Sequence, residues 1–68
     1  MSEGKAEAIE QLKRQFWETM AKADALRNVA ARLKSEEQAA GFIQKAEIEE
    51  KKAKEFLKQA GDLAKSEL

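Results

Sequence analysis

Three glutamates carry the chemistry that this chain has to offer: Glu49 and Glu50 in "QKAEIEEKKAKEF" and Glu18 in "FWETMAKA". Glu49 and Glu50 interrupt an apolar stripe midway between Ala46 and Ala53, on the side of a helix that should face a core. An unpaired buried carboxylate costs several kcal/mol, so acids placed there need a partner. Two kinds of partner are available. Lys22, Lys45, Lys52 and Lys54 lie within helical reach, and long lysine stems draw such charges to the rim. A divalent metal pair also offsets the repulsion of facing glutamates, as in bundles whose acids project inward from several helices. Other chemistries fail on residue type. The chain has no histidine and no cysteine, so Ser2, Ser35 and Ser66 have no imidazole to activate them. Gly4, Gly41 and Gly61 stand alone and form no phosphate loop. Lys13 and Arg14 in "KRQFW" read as a solvated helix flank beside aromatics rather than a nucleic-acid surface. We expect no enzyme.

The elements that position these acids are helices. Proline is absent and Ala, Glu, Lys, Leu, Gln and Arg dominate, the residues that lose least side-chain freedom in a helix. Apolar residues recur at Ile9, Leu12, Phe16, Thr19/Met20, Ala23, Leu26, Ala30 and Leu33, alternating by three and four as one helical face does. A second face runs through Ala39, Phe42/Ile43, Ala46, Ala53, Phe56/Leu57, Ala60 and Leu63/Ala64, with alanine every seven residues at 39, 46, 53 and 60. Between them, Ser35-Glu36-Glu37-Gln38 fits a capping box, with acids in the first turn where the helix dipole favours them. The spacing predicts one all-α domain over 1–68: a two-helix antiparallel hairpin, helices at about 5–34 and 36–65, with its turn near Ser35. The alternatives are a three-helix bundle breaking near Asn28 and Gly41 and one unbroken coiled-coil rod. Gly61 either ends the second helix or weakens it.

Folding at Ser35 pairs residues whose numbers sum to about 69, so Ala30 meets Ala39, Ala23 meets Ala46, Phe16 meets Ala53 and Ile9 meets Ala60. The same pairing sets Glu49 and Glu50 opposite Thr19 and Met20, next to Glu18. The first half carries a charge of +2 and the second −2 on counting side chains, which suits antiparallel helices.

The run "AAGFIQKAEIEEKKAKEFLKQAG", residues 39–61, resembles a metal-bearing helix of the rubrerythrin family, within the ferritin-like superfamily. The family's Glu-x-x-His, followed by Ala, a polar residue and apolar residues, falls on Glu49-Glu50-Lys51-Lys52 and then Ala53-Lys54-Glu55-Phe56-Leu57. The resemblance implies an iron or manganese site with Glu18, Glu49 and Glu50 as ligands. Lys52 stands where the family has its histidine, and a protonated lysine does not coordinate iron. The reading carried forward therefore makes the glutamates a polar layer paired with lysines, fixing register or partner choice, with no cofactor.

Size and charge bound the partners. A 68-residue chain without disulfides has a marginal core, and oligomerisation is the remaining way to enlarge it. Lys+Arg and Asp+Glu balance at 13 each, against a nucleic-acid or anionic-membrane binder. The longest apolar run, residues 39–43, is too short to span a bilayer, and nothing resembles a signal peptide, so we expect a cytoplasmic protein. The expected function is a non-enzymatic self-association or adaptor module. Two hairpins form a homodimeric four-helix bundle through Phe16, Trp17, Met20, Phe42 and Phe56. The alternatives are a small ferritin-like di-metal protein and a three-helix domain that binds another helical protein.

Overall fold

The computed structural model describes residues 2–66 and contains α1 (Ser2–Arg32) and α2 (Glu36–Lys65), packed along each other as a hairpin. The all-α hairpin is as expected. α1 starts earlier and ends two residues sooner than the periodicity suggested, because residues 33–35 are all used for the turn. Asn28 and Gly41 lie inside the helices, so the three-helix alternative is ruled out, as is the unbroken rod. Gly61 does not end α2: without a β-branch or proline to oppose it, the helix runs on to Lys65.

The turn is built locally. The amide of Leu33 donates to the Ala30 carbonyl at 3.2 Å, tightening the end of α1. Ser35 then adopts extended backbone (φ −85°, ψ 122°), the geometry of a residue that caps rather than joins a helix. Its hydroxyl accepts from the Gln38 amide at 3.3 Å, and its carbonyl takes the first helical bond, from Ala39, at 3.0 Å. Glu36 and Glu37 occupy the first turn as expected. Only half of the capping box forms: among the described residues, the Gln38 side chain makes no return bond to Ser35. At the far end the Ser66 amide donates to the Asp62 and Leu63 carbonyls, and its hydroxyl donates to Leu63 at 2.8 Å, satisfying acceptors that the helix leaves open.

The seam between the helices is lined by small residues. Ala23, Ala46 and Ala53 are wholly covered; Ala30, Ala60 and Thr19 are nearly so. No large side chain is fully buried among the described residues. A two-helix contact is one seam wide, so it closes over a methyl group but leaves Leu12, Phe16, Leu26, Phe42, Phe56 and Leu63 half covered.

The side-chain contacts across the seam join residues farther along the chain than the facing pairs expected from sequence. Arg27 bonds Glu50, numbers that sum to 77, and a shallow groove at the open end brings Leu12 beside Gln59 and Leu63. All these sums exceed 69. Side chains lean toward the N-terminus of their own helix, so across an antiparallel pair Arg27 leans away from the turn and Glu50 toward it. That lean, added to the length of the arginine side chain, reaches across an eight-residue offset, ~12 Å along the axis.

Candidate functional site

The mid-hairpin acids separate instead of clustering. Glu50 and Arg27 form a two-pronged pair, Nε to Oε2 at 3.1 Å and Nη2 to Oε1 at 2.9 Å. Their side chains remain 28% and 42% exposed respectively. The hydrogen bonds from Arg27 hold the Glu50 carboxyl below the usual carboxylate range, helped by the charges of Arg27 and Lys54 and opposed by partial desolvation. Arg27 in turn holds its proton more firmly, through the same hydrogen bonds and charge. Glu49 meets Lys52 three residues along its own helix, at a long 3.5 Å. Glu18 is exposed.

The expected partnership of the glutamates with lysines thus holds for Glu49, while Glu50 takes an arginine across the seam. The expected grouping of Glu18 with Glu49 and Glu50 does not form. Consecutive helical residues are about 100° apart, so Glu18 turns off the seam that Thr19 lines. Among the described residues no three acids, histidines or cysteines stand close enough to share a metal ion. With Lys52 at the histidine position and its ammonium on Glu49, the residues present do not fit the di-metal group that the rubrerythrin-like pattern implies.

The apolar candidates also divide. Phe16, Met20, Phe42 and Phe56 are half buried along the seam. Trp17 is 68% exposed and meets the Phe16 ring edge-on, centroids 5.2 Å apart. The Lys45 ammonium lies 5.5 Å from the Phe42 ring centre, within cation–π range.

Arg27 was not singled out from sequence, and Ile43 and Leu57 were placed on the second apolar face without being counted among the interface candidates. The Arg27–Glu50 contact shows which flanks of α1 and α2 share a side of the hairpin. One seven-residue step from Arg27 reaches Met20, and one step each way from Glu50 reaches Ile43 and Leu57. Trp17 is one turn beyond Met20. This side therefore carries Trp17, Met20, Ile43 and Leu57 around a closed ion pair, with Leu57 half exposed. The opposite side carries Gln15, Lys22 and Val29 from α1 and Lys45, Lys52 and Gln59 from α2. Ile48, also half exposed, is one turn from Lys45 and Lys52, on the outer flank of this opposite side.

Compared with protein-family models, with curated proteins and with solved structures, the chain matches none. Among the described residues no helix is long and apolar enough to cross a membrane.

Proposed function

We propose that the chain is a non-enzymatic self-association module: two hairpins pair into a four-helix bundle and so serve as an assembly or adaptor element. The supporting observation is surface area. The hairpin exposes 5478 Å². A compact monomer of its 7.6 kDa mass exposes about 4,300 Å². The surplus of roughly 1,200 Å² per chain exceeds the ~800 Å² that each partner buries in a standard protein interface. It is apolar where it matters, since large side chains lie half covered along the seam while alanines fill it. Pairing two hairpins covers both apolar stripes with side chains of their own kind and gives a four-helix core. The balanced charge, together with a central ion pair already closed within each chain, leaves no net repulsion against a second copy.

Thermal unfolding followed by circular dichroism tests this. Dimer stability follows mass action, so the melting temperature rises with protein concentration. Trp17→Glu places a charge on a side chain that the lone hairpin leaves exposed, so it weakens association without disturbing the hairpin seam. The variant melts lower, with no dependence on concentration. A wild-type melting temperature independent of concentration, equal to that of Trp17→Glu, overturns the reading.

A further inference from the structure

The two open sides of the hairpin differ in chemistry, and the difference selects one of them as the seam of a dimer. The side with Lys22, Lys45 and Lys52 would bring six lysines together across a two-fold axis, with Glu49 bound to Lys52 as the nearest offset. The side with Trp17, Met20, Ile43 and Leu57 has its central charges, Arg27 and Glu50, closed on each other. An arginine fork is the form in which an ion pair is best accommodated at an interface, because its planar donors hold a carboxylate in fixed geometry while their charges cancel.

Two symmetries place this side on its own copy. A two-fold axis across the helices lays α1 over α1 and sets the turns at opposite ends. With the axis at the Arg27–Glu50 level, arginine then faces arginine and glutamate faces glutamate. With the axis one step away, at Met20 and Leu57, Arg27 falls over the partner's Lys13. Like charges meet either way, and facing like charges across an interface cost several kcal/mol. An axis parallel to the helices lays each α1 over the partner's α2, level with level. Arg27 then faces the partner's Glu50, and Met20 faces the partner's Leu57. The intrachain fork uses Nε and Nη2 of Arg27, and Nη1 has no acceptor among the described residues, so one donor group remains for the partner's carboxylate.

We propose that two copies join through the Arg27–Glu50 side about a two-fold axis parallel to the helices, both turns at one end, each Arg27 facing the partner's Glu50. This rests on the self-association reading above. The four charges alternate around the axis as a closed ring, flanked by Met20 and Leu57 on one side and Ile43 on the other.

The chain has no cysteine, so Lys34→Cys in the exposed turn gives a single site for a nitroxide label. Pulsed electron resonance on the dimer then reads the distance between turns. Turns at one end give about 15–30 Å, from helix spacings of 8–10 Å plus the label arms. Turns at opposite ends give a distance near the hairpin's 53 Å length. Sedimentation of two charge variants reads the choice of side. Leu57→Glu weakens the dimer about 100-fold or more, as a charge in a desolvated seam does. Val29→Glu, on the lysine side, changes it less than about threefold. A dimer with the long distance overturns the parallel axis and leaves self-association standing. A dimer that Val29→Glu dissociates and Leu57→Glu does not overturns the choice of side. A wild type that is monomeric throughout removes the reading on which the proposal rests. Should Leu57→Glu fail to fold, the label distance still decides the axis and Val29→Glu decides the side: a Val29→Glu chain that stays dimeric supports the Arg27–Glu50 side, and one that dissociates overturns it.

Discussion

Replacing Ser35 by alanine isolates one hydrogen bond at the point that defines the hairpin. Ser35 is exposed, so the substitution changes little burial. Its extended backbone, φ −85° and ψ 122°, is open to alanine, so no strain is introduced. What is lost is the hydroxyl that accepts from the Gln38 amide at 3.3 Å. That length is beyond the usual 2.7–3.2 Å range, and N-cap removal costs about 0.5–2 kcal/mol, so we expect about 1 kcal/mol or slightly less. A chain of 68 residues unfolds with an entropy near 140 cal/mol/K, so about 1 kcal/mol lowers the melting temperature by about 7 °C at fixed protein concentration. Ser35→Asp keeps an acceptor at the helix start and should stay within a few tenths of a kcal/mol of wild type. Thermal melts by circular dichroism read both. Alanine that is as stable as serine, or more so, would refute the reasoning: helix propensity would then outweigh the cap, and the seam alone would position the turn.

Three further perturbations probe the seam and its acids. Ala53 is wholly covered between the helices, so Ala53→Leu should force them apart and cost about 1–3 kcal/mol in urea denaturation. The same change at exposed Ala40 should stay within about 0.5 kcal/mol. Glu50 is held below the usual carboxylate range by Arg27, so its contribution to stability is present above that range and is lost as pH falls through and below it. Carbon NMR titration should show the low midpoint, and Arg27→Met should raise it; an unmoved midpoint contradicts the pairing. Excess ferrous iron, manganese or zinc should leave the melting temperature unchanged, whereas a metal at 100 times its dissociation constant would add about 2.7 kcal/mol. A rise that Glu49→Ala abolishes would reinstate the di-metal reading.

The hairpin was legible because its signals are local. Apolar residues at three- and four-residue spacing mark both helices, and Ser35 with two following acids marks where the second begins. The alanines at 46, 53 and 60 announced a close seam, and they are among its buried residues. Partnerships across the seam were not legible to the same degree. Glu18 is adjacent to Thr19 in sequence but about 100° away around the helix, which removes it from the acids opposite. Arg27 looks like any surface cation until the lean of side chains in antiparallel helices is taken into account. Met20, Ile43 and Leu57 could be assigned to one side only after the Arg27–Glu50 contact showed which flanks adjoin. Single-helix periodicity reports how a face is composed, and the register between two helices reports which faces meet.

Sedimentation equilibrium of the wild-type chain tests the central claim most directly. At about 100 µM, a hundredfold above a micromolar dissociation constant, most chains of an associating hairpin are paired. The account predicts a mass twice the 7.6 kDa of one chain. A single species of 7.6 kDa at that concentration would contradict it.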